Sequence, residues 1–325
     1  MKKNKFTLLC LAAVLSSLVA SGCSKRTGAA EKSVRIAIQP SAAFIPLYSV
    51  RYSGILEKEL APKKINVIWQ DFESGPPMNE SLAAELTDIG VIGDVPSVRA
   101  LTNDKKMKIV GVPARGPNAY AVLAEKKDTS INCFADLKGK RVATVFGSTG
   151  HNFTKKLLEA NGMTFADIDF LNITAVSAEE ILLSDVADAV VIWEPNVTRL
   201  VDRELAKIVA QGEQTDLRGT NAFIVREDYL EKNYDVISAI LEAYDEAAVN
   251  LENLQPEIRE KIASVLKISE KQLMQIAKKY DFSCAVTKDD VKSLQNTVEF
   301  LVSIKNLDKS FDVESYVNRS CLKKE

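Results

Sequence analysis

Five short segments carry the residue types that capture small oxyanions. They are Gln39-Pro40-Ser41-Ala42-Ala43-Phe44, Glu73-Ser74-Gly75-Pro76-Pro77-Met78, Gly93-Asp94-Val95-Pro96-Ser97, Phe146-Gly147-Ser148-Thr149-Gly150-His151 and Trp193-Glu194-Pro195. Gly, Ser, Thr and Pro at the start of a helix leave first-turn N–H groups facing outward, where the helix dipole also favours negative charge. The same residues cap helices for purely structural reasons. One such loop therefore decides nothing, whereas five at equivalent places describe a ligand cleft.

Several other chemistries are excluded. Gly147-Ser148-Thr149-Gly150 lacks the Gly-Lys-Ser/Thr of a nucleotide phosphate loop. Ser148 is not in a Gly-x-Ser-x-Gly nucleophile elbow. The chain has a single His, so no metal site needing two can form. That residue, His151, reads either as a structural side chain in the first turn of a helix or as a ligand contact. Trp193 reads as a core aromatic or as a flat wall for an organic tail. Arg115 is the most suggestive cation, because a guanidinium grips an oxyanion with two N–H groups, although an Arg in a connecting segment is equally at home in solvent.

These loops need strands to hold them. Val34–Ile38, Asn66–Trp69, Asp88–Ile92, Lys108–Val112, Ala119–Ala124, Arg141–Thr144, Phe170–Ile173, Ala189–Ile192 and Ala222–Val225 are apolar runs of strand length. Helical spacing recurs between them, as over Pro46–Leu60 and Pro77–Leu86. Strands alternating with helices predict mainly parallel sheets covered on both faces, with ligands outside the carboxyl ends of the strands. From Arg226 onward the pattern is helical: Tyr234–Leu251, Pro256–Leu266, Glu270–Lys279 and Lys288–Ile304. Pro113–Asn118 and Gln211–Asn221 mark two crossings. They predict a first lobe of residues 33–113 plus 220–325 and a second of 114–219.

The chain has 325 residues, 46% hydrophobic and 26% charged, with 42 Lys+Arg against 44 Asp+Glu. That composition fits a folded protein with a substantial core and excludes disorder. The net charge of −2 excludes a basic nucleic-acid face. Residues 1–22 read as a targeting segment: Lys2, Lys3 and Lys5, then an apolar stretch from Phe6 to Ala20 too short to span a membrane comfortably. Its removal takes away three lysines and moves the formal charge from −2 to −5. Capture of an anion then depends on local donors rather than on overall charge. Of the five cysteines, Cys10 falls in the removed segment and Cys23 directly after it, leaving Cys133, Cys284 and Cys321, of which Cys284 and Cys321 either pair in a disulfide or stay as buried free thiols. Their spacing suits no metal, and their odd number leaves at least one thiol free.

Leu18-Val19-Ala20-Ser21-Gly22-Cys23 resembles the lipobox of bacterial lipoproteins. That resemblance implies lipidation at Cys23, residues 23–32 as a tether, and an extracytoplasmic protein anchored to the bacterial cell membrane. The body resembles the substrate-binding proteins of ABC importers, in the group that handles aliphatic sulfonates, taurine and nitrate. The stretches that carry this are Phe72–Leu82, Asp88-Ile89-Gly90, Gly93-Asp94-Val95-Pro96, Ala135–Ala143, Gly147–Asn152 and Asp188–Pro195. The resemblance implies two lobes around a hinge, a ligand between them, no catalysis, no cofactor and a monomer that docks on a permease and its ATPase. It places ligand contacts on Gln39, Ser41, Gly75, Pro76, Gly93, Asp94, Ser148, Thr149, His151 and Trp193. Phe44 and Arg115 complete the candidate set. Glu194 stands as an exception, a carboxylate that opposes an anion unless it faces away or meets an ammonium group. Nitrate, bicarbonate and other small anions remain alternatives to a sulfonate. So does a thiamine-pyrimidine-type enzyme on the same fold, although such enzymes resemble a pattern of clustered cysteines that is not seen here. A receptor that keeps the fold is a third reading.

Overall fold

A computed structural model of the chain describes residues 32–102 and 106–323. The expected signal segment, Cys23 and the tether as far as residue 31 lie outside the described residues. Ser33–Glu325 forms one compact unit. Lys32, expected in the tether, already begins the first strand.

The chain lays down β1 (Lys32–Ile38), β2 (Ile65–Asp71), β3 (Ile89–Gly93) and β4 (Met107–Arg115), and then crosses to a second sheet. There it forms β5 (Tyr120–Glu125), β6 (Arg141–Thr144), β7 (Asp169–Asn172), β8 (Ala189–Trp193) and β9 (Ala206–Gln211). It returns as β10 (Asn221–Arg226) and adds the short β11 (Asp281–Phe282). The first sheet has the order β11-β4-β10-β3-β1-β2 and the second β7-β6-β8-β5-β9. Ala114 and Arg115, expected to open the second lobe, are the last residues of β4. They stay in the first sheet because they pair with Asn221, Asp281 and Phe282.

Both sheets are mixed, which refines the expectation of mainly parallel ones. β1 runs parallel to β3, and β6 runs parallel to β7 and β8. β10 is antiparallel to β3 and β4, and β5 is antiparallel to β8 and β9. The reversed strands β5 and β10 are those by which the chain enters each sheet from the other. Strands built by strand–helix cycles share one direction, and an arriving strand meets them head-on.

Burial explains the sequences of the central strands. Ile89–Gly93, Ala189–Trp193 and Asn221–Arg226 are buried throughout, as expected where helices cover both faces of a sheet. Alternate residues feed separate cores. Ile36, Ile38, Val91, Phe223 and Val225 join the helices Ile45–Ser53, Tyr234–Val249 and Pro256–Leu266 on one face. Ala37, Ile92, Ala222 and Ile224 join the helices Asp94–Leu101 and Lys288–Ser303 on the other. The helical tail thus wraps both faces of the first sheet. Its ends follow local chemistry: Ser269 and Gln272, and likewise Thr287 and Asp290, form reciprocal capping boxes. The expected helix over Pro46–Leu60 is two helices, Ile45–Ser53 and Ile55–Leu60, because Gly54 adopts φ +64° between them.

The two lobes repeat one device at the strand ends away from the loops described above. In the first, the Asp88 carboxylate accepts from the Arg35 backbone N–H (2.8 Å) and the Arg35 guanidinium, and Arg226 joins it. In the second, Asp188 accepts from the Arg141 N–H (2.7 Å) and the Arg141 guanidinium. Each couple locks one strand in register beside its parallel neighbour.

Candidate functional site

The carboxyl ends of the strands from the two sheets face each other across a small cavity. Its first-lobe wall is Gln39, Ser41, Gly75, Gly93, Pro96 and Asn221. Its second-lobe wall is Tyr120, Ser148, Thr149 and Trp193. The enclosed volume is about 20 Å³, the space of a single water molecule. The lobes therefore stand closed on one another, and a ligand enters only when they part.

Helix starts aim at this cavity from both sides. Ser148 caps the helix Thr149–Ala160, its hydroxyl accepting from the Gly150 N–H at 3.1 Å. Ser41 caps the short turn Ala42–Phe44, accepting from the Ala43 N–H at 3.3 Å. Gly75 opens the helix Gly75–Ala83, where Pro76 and Pro77 occupy first-turn positions that leave no intrahelical donor unused. Gly93 precedes the helix Asp94–Leu101 and sits so close to the second lobe that a Cβ on it would lie 2.4 Å from Thr149 Oγ1. The free N–H groups and dipoles at these ends suit a small anion.

Neutral polar side chains complete the wall. The Tyr120 hydroxyl stands beside Thr149 and Asn221, one from each lobe. Burial, and then the nearby Asp94, pushes its pKa well above the ordinary phenol value, so it remains a donor. Tyr280, from the tail, bonds Ser41 and is likewise pushed up by burial. Gln39 Oε1 is buried with no hydrogen-bond partner. An orphaned amide in the wall of a cavity calls for a ligand, and a turn of the amide about its last bond presents N–H in place of oxygen. Trp193, buried at the end of β8, adds an indole face to the wall beside the Tyr120 ring.

Seven of the twelve candidate residues thus line the cavity: Gln39, Ser41, Gly75, Gly93, Ser148, Thr149 and Trp193. Pro76 is half-buried opposite Gly147, at the rim. The other four are placed elsewhere. Phe44 is fully buried in the core under the helix Ile45–Ser53. Asp94 is occupied by the Val95 N–H (2.8 Å), the Thr297 hydroxyl (3.0 Å) and the Asn152 amide of the second lobe (2.8 Å). Arg115 is spent on Asp290, with Nε–Oδ1 2.8 Å and Nη2–Oδ2 2.7 Å, and on the carbonyls of Ser283 and Ala285. These partners hold it at the end of β4, outside the small cavity.

His151 is removed from the site by its neighbours. Its ring packs among Phe146, Phe165, Phe170 and, from the first lobe, Phe300. Nδ1 faces the Gly147 N–H at 3.3 Å. Burial pushes its pKa down to about 4, so the ring is neutral and structural at ordinary pH. Tyr120, Asn221 and Pro96 escaped the sequence reading. Tyr120 and Asn221 begin the two reversed strands, and that placement follows only from the pairing of β5 and β10. Pro96 was legible, since it stands in the Gly93–Ser97 loop.

Glu194 faces away from the cavity. It is fully buried, accepting from the Thr198 N–H (3.0 Å) and hydroxyl (2.8 Å) and from Lys279 of the tail. Among the described residues no cysteine lines the cavity, and Cys133, Cys284 and Cys321 are free thiols. Cys284 and Cys321 are buried apart, their sulfurs against the carbonyls of Leu241 and Tyr234.

Comparison with known proteins agrees with this architecture. The family model described as NMT1/THI5 like matches residues 75–253. A Bacillus subtilis (strain 168) protein with the provisional name aliphatic sulfonates-binding protein is 29% identical over 327 residues, spanning 100% of this chain and 97% of its own length. An Escherichia coli (strain K12) protein of the same provisional name is 32% identical over 194 residues, or 59% of each chain. Among solved structures, the alkanesulfonate-binding protein of Xanthomonas axonopodis pv. citri bound to MOPS superposes with a TM-score of 0.81 at 25% identity, covering 90% of this chain and 100% of that one.

Proposed function

Because the chain belongs to the NMT1/THI5-like family, we propose that it is the solute-binding component of an ABC importer and captures an organic sulfonate, an alkanesulfonate or taurine, in the cleft between its lobes. The observation that carries this reading is the wall itself. Helix starts from both lobes, the Ser41 and Thr149 hydroxyls, the orphaned Gln39 amide and the Trp193 ring converge on one cavity. A sulfonate offers three oxygens to such donors and a carbon tail to the indole, whereas nitrate and bicarbonate leave the ring without a partner. The relatives that match it over 100% and 90% of its length are named for sulfonates.

The mechanism follows from the geometry. A ligand bound on one lobe completes its contacts only when the other closes, so it stabilises the closed form. The closed form then presents the surface that a permease and its ATPase recognise. No group in the wall supports catalysis; the cavity binds and releases. The amino-terminal segment fits the same reading: residues 1–22 act as a lipoprotein signal, Cys23 carries lipid, and the monomeric body works outside the cytoplasm on its tether.

Thermal unfolding of ligand-stripped protein tests the assignment. A screen of alkanesulfonates, taurine, nitrate, bicarbonate and aromatic carboxylates should raise Tm with a sulfonate, by an amount that grows with concentration. A shift with another class and none with any sulfonate overturns the sulfonate assignment.

A further inference from the structure

We propose that Lys279 is a charge-compensating residue that couples lobe closure to anion capture by neutralising Glu194 behind the binding wall. This rests on the reading of the cleft as an anion site. Glu194 directly follows Trp193, which lines the cavity, and its backbone carbonyl accepts from the Ala42 N–H, next to Ser41 in the opposite wall. Its carboxylate is fully buried, with only Thr198 as a partner from its own lobe. Lys279 reaches it from the first lobe, between the helix Glu270–Ala277 and β11, with Nζ 2.5 Å from Oε1. Tyr280, the next residue, bonds Ser41 and feels the Glu194 charge.

Lys279 and Glu194 therefore belong to different lobes and meet only when the lobes are together. Parting them leaves an acidic group beside the cleft without its cation. Closing brings the ammonium onto it, while Tyr280, the next residue, already stands beside Ser41 on the same lobe. The Glu194 carboxylate behind the wall then stops opposing an anion at the moment the anion is enclosed. In a site deprived of water an uncancelled like charge is costly, so the pair biases closure toward the anion-bound state. The closed wall itself contains no cation and no carboxylate.

The experiment is calorimetric titration of ethanesulfonate into wild type, Lys279→Met, Lys279→Arg, Glu194→Gln and the double variant Lys279→Met/Glu194→Gln, with each fold verified by its melting curve. Lys279→Met should bind roughly tenfold or more weakly, and Lys279→Arg should bind close to wild type. The double variant should recover to within about threefold of wild type, because no charge is left to cancel. Glu194→Gln alone, which keeps the lysine, should bind at least as tightly as wild type. A double variant as weak as Lys279→Met, or a Lys279→Met that binds normally, overturns the coupling and leaves the anion site standing. A merely structural pair gives the first of these results. If Lys279→Met does not fold, a weakened Glu194→Gln overturns the proposal by itself. Wild type that binds neither ethanesulfonate nor any other small anion removes the proposed function, and the coupling with it.

Discussion

The Asn152 amide, on the first helix of the second lobe, donates at 2.8 Å to the Asp94 carboxylate on the first lobe. Thr297 donates to the same oxygen at 3.0 Å from the tail. Both Asp94 and Asn152 stand in segments that read as ligand loops, yet they touch each other across the cleft. Exchange of Asn152 for Asp keeps its size and sets two carboxylates face to face. Like charges so placed, on two buried residues, cost several kcal/mol. Asn152→Asp should therefore open the unliganded protein, seen as a larger radius of gyration in solution scattering, and weaken sulfonate binding. An unchanged radius with unchanged affinity would show that this contact does not hold the lobes.

Gly93 offers a cleaner probe of closure. Its φ of −65° is ordinary for any residue, so alanine brings no backbone strain. The added Cβ clashes only with the other lobe, 2.4 Å from Thr149 Oγ1, while Asn221 Oδ1 at 3.9 Å is ordinary contact. Gly93→Ala should keep its melting temperature within a few degrees and lose ligand affinity by about tenfold. In a Thr149→Ala background the same exchange should cost much less. An equal cost in both backgrounds would place the clash elsewhere.

Asp290 anchors both crossings between the lobes, since Arg115 ends β4 and Arg218 lies in the return segment. Burial tends to raise its pKa, but hydrogen bonds from Arg115, Thr287 and Arg218 prevail and hold it at about 2. Asp290→Ala strands a buried guanidinium and should lose about 3–5 kcal/mol in urea unfolding. The sign of the pH dependence follows: this stabilisation is complete above the ordinary value of 3.8 and is lost as pH falls toward 2. The variant should lack that acid sensitivity.

His151 titrates in a different window. The unfolded chain takes up its proton near 6.5 and the folded protein only near 4. Between those values the unfolded state holds more protons, so stability falls as pH drops from 6.5 to 4, by up to about 3 kcal/mol. His151→Phe, which suits the aromatic cluster, should flatten that slope. Its sulfonate affinity at neutral pH should stay within a few-fold of wild type. A tenfold loss there would return His151 to the binding site.

Much of this was legible because it is local. Alternation of apolar runs with helical spacing revealed nine of the eleven strands among the described residues; β9 and β11 were missed. Isoleucine 208 of β9 is substantially exposed, as on an edge strand, and β11 has two residues with no pattern of their own. Four helices of the tail were found almost to the residue, with Pro256 and Ser269 announcing two of the starts, whereas the short helix Glu227–Lys232 was missed. Gly, Ser and Thr at helix starts likewise pointed to most of the wall.

What the linear chain determined by itself was the set of strand–helix units and the loops that end them, because capping and periodicity act between near neighbours. The pairing of groups far apart in sequence was decided only by the tertiary structure. Arg115 looks like an anion ligand until Asp290, 175 residues away, takes both arms of its guanidinium. Glu194 looks like an obstacle until Lys279, 85 residues on, cancels it. A buried charge must find its opposite, and which opposite it finds depends on how two sheets and a helical tail come together.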